Sequence, residues 1–435
     1  AWRRSAVYFS AMRVLIVGGG GREHALAWKL KTDNPSVELI AAPGNPGIAE
    51  LGECVAVAAT DLEGLQQLAR NRAVDLTVVG PEAPLALGIV DHFRAAGLPI
   101  FGPTRAAAEI ETSKAFAKRL MLDAGIPTAR AEVHTEVEAA KAAARTLGAP
   151  VVIKASGLAS GKGVIVCHTI QEADTAIEDM LGGNRFGEAG HEVLVEEFMS
   201  GEELSVFAIT DGERFVTLPA LQDHKRLLDQ DRGPNTGGMG AYVPVTLDAP
   251  SGQAERIIDA TLTALRERGR PFTGLLYAGL MLTRDSFKVV EFNCRFGDPE
   301  TQALMPVLDV EPDLLTLMAA VARGDGLPPA RARAQGVCVT TVLAAANYPE
   351  TPRMGDVISI GEAAPGVVVF HAGTARDAGG QLVTAGGRVL AISAVGATMV
   401  DARRRGAEAA DGIRFAGMQR RSDIGWREIA RASGN

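Results

Sequence analysis

Two lysines bracket a glycine-rich stretch that could hold a triphosphate. Lys154 and Lys162 enclose Gly157 and Gly161, and Gly163 follows the second lysine. A short β-branched run lies on each side, which predicts a hairpin whose tip offers backbone N–H groups to an anion. The stretch is not a Walker A loop, because that motif opens a helix and continues from its lysine to Ser or Thr. A flexible, solvated hairpin tip is the alternative interpretation.

A second candidate is the strand end that carries Glu291, Asn293 and Arg295 at alternate positions. Side chains alternate along a strand, so these three are expected on one face. A carboxylate and an amide oxygen suit Mg²⁺, which binds few protein oxygens alongside nucleotide phosphates. The arginine could fork onto a carboxylate or a phosphate. A polar strand end with an Arg–Glu pair is the alternative interpretation.

A charged run gives a weaker signal of substrate contact. The string QDHKR, which contains Asp223 and Lys225, leads into a glycine-dense loop at 233–241. Such a segment is typical of a loop that contacts a substrate, although a solvated turn with several charges is equally compatible with it.

The predicted strand at 192–198 gives the weakest signal. It ends in Glu196, Glu197 and Phe198, and Glu203 follows shortly after. Its edge backbone could accept adenine, and its carboxylates could accept from ribose hydroxyls. Acidic surface residues are common, so this pattern alone would not identify a nucleotide site.

A glycine cluster follows the first predicted strand. Residues 18–21 are glycines between Val14–Val17 and Arg22, where a helix is expected to begin. Such a turn lets backbone N–H groups approach an anion at a helix N-terminus. As a dinucleotide fingerprint the cluster is defective, because Glu23 stands where the third glycine belongs. A phosphate site is therefore favoured over a dinucleotide site.

The elements that must position these residues fall into three blocks. Over 13–102, β-branched runs alternate with helical patterns, which predicts an open, parallel α/β sheet. The middle of the chain predicts hairpins, and after residue 335 closely spaced short strands and one helix near 398–410 predict a small β-rich domain. The expected boundaries are 12–111, 112–334 and 335–435, with residues 1–11 as an upstream extension.

Capping signals predict where several helices begin. Asp61 is expected to cap a helix that runs through Arg70. The pairs Thr135 with Glu138 and Thr169 with Glu172 have the spacing of capping boxes.

Composition excludes several classes of protein. The 435 residues carry a formal net charge of −8 and only 5% are aromatic, so no nucleic-acid partner is expected. The four cysteines form no CxxC pair, and no histidine lies in a triad signature with serine or cysteine. No apolar stretch reaches the roughly 18–20 residues of a membrane helix, and the opening residues lack the apolar core of a signal peptide. A cytoplasmic protein without a membrane partner is therefore expected.

Taken together, the motifs resemble the phosphoribosylamine–glycine ligase family (glycinamide ribonucleotide synthetases) of the ATP-grasp superfamily. The resemblance runs from residue 12 to about residue 430. The strings QDHKR, GPNTGGMGAY and CRFGDPET distinguish this family from other ATP-grasp enzymes. Residues 1–11 have no place in the family pattern, and Ser156 stands where many members carry aspartate. The matching strings are GGREHALAW (20–28), APGN (42–45), VGPEAPL (79–85), SKAFAK (113–118), IKASGLASGKGVIV (153–166), EEF (196–198), GEE (201–203), QDHKR (222–226), GPNTGGMGAY (233–242), EFNCRFGDPETQ (291–302), FHAGT (370–374), GGRVL (386–390) and DIGWR (423–427).

The resemblance implies a multidomain α/β and α+β fold and a reaction. The fold comprises a Rossmann-like pre-ATP-grasp domain, an ATP-grasp core with a mobile lid at about 128–200, and a β-rich C-terminal domain. The reaction joins glycine to 5-phosphoribosylamine through glycyl phosphate, with ATP going to ADP and phosphate, in a monomer. Another ATP-grasp carboxylate–amine ligase and a non-catalytic nucleotide-binding protein are the alternatives.

The resemblance also implies roles for individual residues. Arg295 is expected to hold the glycine carboxylate and Asp223 the ammonium, with Lys225 also at the reaction centre. Glu291 and Asn293 are expected to bind Mg²⁺, with Mn²⁺ as a substitute. The residues expected to bind ATP are Lys114, Lys154, Gly161, Lys162, Gly163, Glu196, Glu197, Phe198 and Glu203. The residues expected to bind phosphoribosylamine are Gly19, Gly20, Gly21, Glu23, Asn45 and Glu82.

Overall fold

The first sheet is parallel and covered on both faces. The computed structural model describes residues 11–157, 163–182, 191–247, 252–284 and 286–434. The strands are β1 (Arg13–Gly18), β2 (Glu38–Pro43), β3 (Glu53–Cys54), β4 (Leu76–Val79) and β5 (Ile100–Phe101), in the order β3-β2-β1-β4-β5. The helices around it are α1 (Gly21–Asp33), α2 (Leu62–Asn71), α3 (Glu82–Leu87), α4 (Ile89–Ala95) and α5 (Arg105–Thr112). Val14 and Ile16 pack into one core and Leu15 and Val17 into another, as strand alternation requires. This confirms the predicted open α/β sheet.

A second, antiparallel sheet has a small core of its own. Helix α6 (Lys114–Asp123) leads into this region. The sheet contains β6 (Ala131–His134), β7 (Val151–Ala155), β8 (Val164–Cys167) and β9 (Val193–Glu197), in the order β6-β9-β7-β8, with α7 (Val137–Leu147) and α8 (Ile170–Ile177) against it. Strands β7 and β8 pair as the predicted hairpin, and its tip, residues 158–162, lies outside the described residues. The separate core is what a lid that closes over a nucleotide needs.

The third sheet carries the strand with the metal-binding candidates. It contains β10 (Glu202–Thr210), β11 (Phe215–Thr217), β16 (Gly274–Leu282) and β17 (Phe287–Asn293), in the order β11-β10-β16-β17. Between β11 and β16 the chain forms β12 (Gln222–Asp223), β13 (Arg226–Leu228), β14 (Arg232–Asn235), β15 (Gly240–Val243) and helix α9 (Gln253–Glu267). Phe292 of β17 and Cys294 directly after it enter the core, which leaves Glu291 and Asn293 on the opposite face. The predicted alternation holds from Glu291 to Cys294, and a bulge at Val290 interrupts it earlier in the strand.

Two strands from the middle of the chain belong to the C-terminal sheet. Its strand order is β12-β15-β20-β25-β22, so two strands from the QDHKR and GPNTGGMGAY strings extend it. The remaining elements are α10 (Glu300–Leu304), β18 (Leu308–Glu311), α11 (Leu314–Arg323), β19 (Arg331–Ala334), β20 (Val337–Ala344), β21 (Ser359–Ile360), β22 (Val367–His371), β23 (Thr374–Arg376), β24 (Leu382–Thr384), β25 (Arg388–Gly396), α12 (Met399–Asp411), β26 (Ile413–Arg414) and α13 (Trp426–Ala432). Helix α12 confirms the helix predicted near 398–410. Among the described residues, none of the helices combines the length and apolarity needed to cross a membrane.

Candidate active site

A buried carboxylate lies between two lysines beneath the lid hairpin. Lys154 on β7 places Nζ 2.7 Å from Glu196 Oε2, and Lys118 on α6 places Nζ 3.1 Å from Oε1. Burial would raise the pKa of Glu196, but the two ammonium groups outweigh it and hold that pKa below its ordinary value. The cluster keeps one net positive charge, which can face a phosphate.

This pairing bears on one expectation and adds a residue. The Glu196 carboxylate is engaged by two lysines, and its expected contact with ATP stays a prediction. Sequence reasoning assigns no role to Lys118. Its i,i+4 spacing from Lys114 puts both lysines on one helix face, and that is the signal that could have found it.

Ser156 fastens the start of the glycine-rich loop to helix α6. Its carbonyl accepts from Lys114 N at 2.8 Å, and its hydroxyl accepts from Ala115 N at 3.2 Å. Lys114 Nζ donates to Gly157 O at 3.2 Å, and burial lowers the pKa of this lysine. Ser156 thus satisfies two N–H groups at the N-terminus of α6.

The structure describes only the two ends of the glycine-rich loop between β7 and β8. Gly163 accepts from Ala155 N at 2.8 Å and closes the hairpin. Gly161 and Lys162 lie outside the described residues, so their expected contacts with nucleotide phosphates stay predictions.

Glu291 and Asn293 offer open oxygens to a cation. The Glu291 side chain makes no hydrogen bond or ion pair with any other described residue, and Asn293 Oδ1 accepts only a long bond, 3.3 Å, from Arg295 Nη2. Burial would raise the pKa of Glu291, but Lys225, Lys154 and nearby cations lower it, so the carboxylate is charged at neutral pH. No three His, Cys, Asp or Glu side chains in the described ranges form a metal cage. Two open oxygens therefore fit a cation that brings most of its ligands with a nucleotide.

Arg295 is held by two carboxylates. Its Nη2 lies 3.0 Å from Glu111 Oε1 and its Nε 3.4 Å from Glu82 Oε2. Glu111 also accepts from Cys294 N at 2.8 Å. Although burial lowers the pKa of Arg295, the two carboxylates raise it above its ordinary value. The guanidinium is thus committed to protein partners, and it would have to exchange one of them to fork onto a substrate as expected.

Asp223 and Lys225 lie across from the metal-binding candidates. Lys225 Nζ pairs with the carboxylate of Glu203, whereas Asp223 makes no hydrogen bond or ion pair with another described residue. Burial, together with Glu300, Glu203 and Glu291, outweighs Lys225 and raises the pKa of Asp223 to about 7. Because a positively charged ligand would lower that pKa, this carboxyl is suited to receive an ammonium group.

Sequence reasoning missed a buried hydroxyl–carboxylate chain beside Asp223. Tyr277 OH lies 2.6 Å from Glu300 Oε1 and 2.7 Å from Ser205 Oγ. Glu300 stands in the DPE string, but nothing in that string indicates that its carboxylate turns towards Tyr277. Only the pairing of β10 with β16 places Ser205 and the tyrosine together.

The glycine turn packs too closely for side chains and is capped by Glu23. A Cβ added to Gly19 would lie 2.3 Å from Gly44 O, so a side chain there would displace backbone. Glu23 Oε2 accepts from Gly20 N at 2.5 Å, and its Oε1 lies 2.6 Å from Arg22 Nε. The N–H group of Gly20 is therefore already used, and the donors left for an anion are those of the neighbouring turn residues.

Asn45 is a structural tie rather than an open ligand. Its Nδ2 donates to Gly19 O at 2.9 Å and to His371 O at 2.8 Å. Its Oδ1 accepts from Gly47 N at 2.9 Å and from Ile48 N at 3.0 Å. All its polar atoms have protein partners, so its effect on a ribose would be through the turn that it orients. It also brings the C-terminal domain against that turn through His371.

The end of the β17 strand connects the two halves of the site. Arg22 Nη1 donates to Phe296 O at 3.1 Å, and a Cβ on Gly20 would lie 3.6 Å from Asp298 Oδ2. Glu82, the first residue of α3, meets the same segment through Arg295. The chain from Glu291 to Asp298 therefore runs from the metal-binding candidates to the glycine turn.

The expected adenine segment is partly occupied. Glu197 accepts from Arg130 Nε at 2.9 Å and from Lys288 Nζ at 3.1 Å, so its carboxylate has protein partners. Phe198, directly after β9, is 42% exposed and offers an apolar face. The arrangement leaves the phenyl ring and the following main chain as the available adenine contacts.

Three family models match this chain. They are the N domain of phosphoribosylglycinamide synthetase over residues 12–111, its ATP-grasp (A) domain over 112–301 and its C domain over 338–427.

Known proteins resemble the chain over nearly its full length. The phosphoribosylamine–glycine ligase of Xanthomonas campestris pv. campestris is 50% identical over 428 residues, 97% of this chain and 99% of that protein. The Vibrio cholerae protein of the same name is 49% identical over 429 residues, with the same coverage. The crystal structure of phosphoribosylamine–glycine ligase from Thermotoga maritima superposes with a TM-score of 0.83 at 35% identity, covering 95% of this chain and all of that one. The biotin carboxylase domain of Hydrogenobacter thermophilus 2-oxoglutarate carboxylase, solved with MgADP and bicarbonate, has a TM-score of 0.73 at 17% identity, covering 95% and 92% of the two chains, and shares the fold.

Proposed function

We infer that this chain, which belongs to the phosphoribosylglycinamide synthetase family, is a phosphoribosylamine–glycine ligase of de novo purine biosynthesis. It joins glycine to 5-phosphoribosylamine and converts ATP to ADP and phosphate. Relatives that carry this name match at about half identity over almost the whole chain.

One observation carries the assignment at the level of the site. The side chains of Asp223 and Glu291 have no hydrogen-bond partner among the described residues. Both lie among the charged side chains of lysines and of other acidic residues. A carboxylate left open in such a cluster is suited to a ligand rather than to the fold. One would receive the ammonium of glycine and the other the metal ion that accompanies ATP.

The chemistry needs alignment and charge neutralisation rather than a covalent enzyme nucleophile. An oxygen of the glycine carboxylate attacks the γ-phosphorus, and ADP leaves. The amine nitrogen of phosphoribosylamine then attacks the carbonyl carbon of glycyl phosphate, loses a proton and displaces phosphate. Lys114 and Lys154 would hold the transferred phosphoryl group during the first step. The lid would exclude water, which otherwise hydrolyses the acyl phosphate.

The metal is proposed to be Mg²⁺, although Mn²⁺ shares its preference for oxygen. Glu291 and Asn293 would hold it together with phosphate oxygens, and it would neutralise charge on the phosphates.

The four cysteines are free thiols, which supports a reducing compartment such as the cytoplasm.

We propose that the phosphate of phosphoribosylamine binds at the turn Gly19–Gly21. In open α/β sheets, ligands bind outside the carboxyl ends of the strands, where this turn follows β1. Glu82 and Asp298 lie beside the turn, where they would contact ribose hydroxyls. Their carboxylates also have protein partners, Arg295 and Gln302 respectively.

ADP release in the presence of glycine and freshly made phosphoribosylamine tests the assignment. We expect turnover that requires both substrates. Turnover with glycine omitted, or with another amino acid accepted equally well, would favour a different ATP-grasp carboxylate–amine ligase. Nucleotide binding without turnover would favour a non-catalytic protein.

A further inference from the structure

Side chains of the QDHKR segment (222–226) alternate between two directions. Asp223 and Lys225, which face the site, are called its front side chains, and Gln222 and His224 its rear side chains. Asp223 and Lys225 lie among the charged groups of the site, whereas Gln222 and His224 are only 2% and 1% exposed and turn away from it. Alternation along an extended segment produces this division. The two rear side chains therefore decide where the two front side chains stand.

His224 is fastened through three of its polar groups. Its N donates to Gly240 O at 2.8 Å and its carbonyl accepts from Met239 N at 2.7 Å. Its ring Nε2 accepts from Gly425 N at 3.1 Å. Because Nε2 is the acceptor, the ring is neutral with its proton on Nδ1, which lies 3.6 Å from Asp231 Oδ1. Burial lowers the pKa of this histidine and maintains the neutral form.

The donor Gly425 is itself held rigidly. It starts helix α13 with a φ of +79°, which favours glycine. Just before it, Arg421 has a fully buried side chain whose Nε and Nη2 lie 2.7 and 2.8 Å from the carboxylate of Asp423. Arg421 Nη1 lies 2.8 Å from Asp231 Oδ1, which closes the cluster around His224.

Gln222 provides a second attachment to the same C-terminal segment. Its Nε2 donates to Glu203 O at 2.7 Å, and its Oε1 accepts from Tyr242 OH. Arg431 on α13 donates to that hydroxyl at 3.2 Å and pairs with Glu202 at 2.7 Å. Residues 421–431 thus hold both rear side chains of the segment.

We propose that His224 is a positioning residue for ligation, which fastens the Asp223–Lys225 segment to Gly425 of the C-terminal segment. This proposal rests on the proposed function, in which Asp223 meets the glycine ammonium. Its role is to fix the positions of the Asp223 and Lys225 side chains in the site. Position matters because a misplacement of about 1 Å can reduce a rate by roughly 100-fold. It gives the DIGWR string (423–427), which contains Gly425, a role in positioning the site.

Two substitutions separate positioning from folding. His224→Gln keeps an acceptor that reaches Gly425 N, whereas His224→Met has similar length and lacks the acceptor. Lys29→Met is the matched stability control, because Lys29 is buried and donates to Leu308 O at 2.5 Å away from this segment. If methionine prevents folding, His224→Asn, which is polar but too short to reach Gly425, replaces it in the comparison.

The measurements are kcat and KM for each substrate, thermal midpoint, and exchange of the Gly425 amide. We expect His224→Met to lower kcat/KM for glycine by about 30-fold with an unchanged KM for phosphoribosylamine, and His224→Gln to stay within about threefold of wild type. Gly425 should exchange faster in the methionine variant only. Lys29→Met should lower the midpoint and leave kcat/KM for glycine unchanged.

Three results would overturn the proposal. If His224→Met keeps wild-type kcat/KM while it loses stability, His224 serves folding alone. If the glutamine and methionine variants lose activity equally, the Gly425 contact does not matter. A wild-type protein without glycine-dependent turnover would instead overturn the proposed function, and the positioning role with it.

Discussion

The carboxylate of Glu196 lies 2.7 Å from Lys154 Nζ and 3.1 Å from Lys118 Nζ, and all three side chains are buried. These contacts matter because an unpaired buried ammonium loses its hydration without compensation. The two contacts compensate the charges of the buried lysines.

Glu196→Gln should destabilise the fold by about 3–5 kcal/mol, because it leaves two buried lysines without their counter-charge. Chemical denaturation measures this loss. The folded-state pKa of Glu196 lies below its ordinary value of about 4.3, so its contribution is present above that pH and is lost as the pH falls through the folded-state pKa. The difference between wild type and variant should shrink in this acidic range. A difference that stays constant with pH would contradict the charge-based explanation.

Glu291→Gln should reduce turnover by at least about 100-fold and raise the Mg²⁺ concentration needed for half-maximal rate, because a charged ligand is lost. The thermal midpoint should change little, since no hydrogen bond or ion pair links Glu291 to another described residue. The matched control is Glu311→Gln, at an exposed strand end, which should leave both properties unchanged. Near-normal turnover at ordinary Mg²⁺ would remove Glu291 from the metal site.

Gly20→Val should raise the KM for phosphoribosylamine by about tenfold or more and leave the KM for ATP unchanged. The backbone at Gly20 has a φ of −87°, so the effect comes from the new Cβ, which would lie 2.8 Å from Glu23 Oε2 and disturb the cap of α1. Gly406→Ala is the control, because its added Cβ would make only ordinary contact, 3.6 Å from Ala394 Cβ. A loss of ATP affinity in Gly20→Val would mean that the turn serves the nucleotide.

Arg295→Lys should slow turnover by about tenfold to 100-fold, since lysine cannot keep the contacts to Glu82, Glu111 and Asn293 together. Steady-state kinetics at saturating ATP measure the effect. Normal kinetics would show that the guanidinium neither orients Asn293 nor contacts glycine.

Local signals in the sequence predict much of the fold. Asp61 caps α2 by accepting from Gly64 N, and Thr169 caps α8 by accepting from Glu172 N, because these contacts span three residues. The capping box predicted for Thr135 is wrong: β6 continues to His134, and Glu136 takes the cap position of α7 without a side-chain bond. The β15–β20 pairing could not be predicted, because it joins strands far apart in the chain.

In the candidate site, too, local features could be predicted from the sequence and contacts between distant segments could not. Residue types and alternation place Glu291 and Asn293 on one face, because strand geometry is local. The partners of Glu196 and Arg295 are not encoded locally, since Lys118 and Glu111 reach them from separate helices. Asn45 and Glu23 bind the turn's own carbonyl and N–H groups, and their expected contact with phosphoribosylamine stays a prediction.

The central claim is that the glycine carboxylate becomes activated by phosphoryl transfer before the amine attacks. Glycine labelled with ¹⁸O in both carboxylate oxygens tests it most directly, because one of those oxygens must leave with the displaced phosphate. We predict one ¹⁸O atom in each phosphate released, with the other retained in the amide carbonyl of the product. Phosphate without label would contradict a glycyl phosphate intermediate.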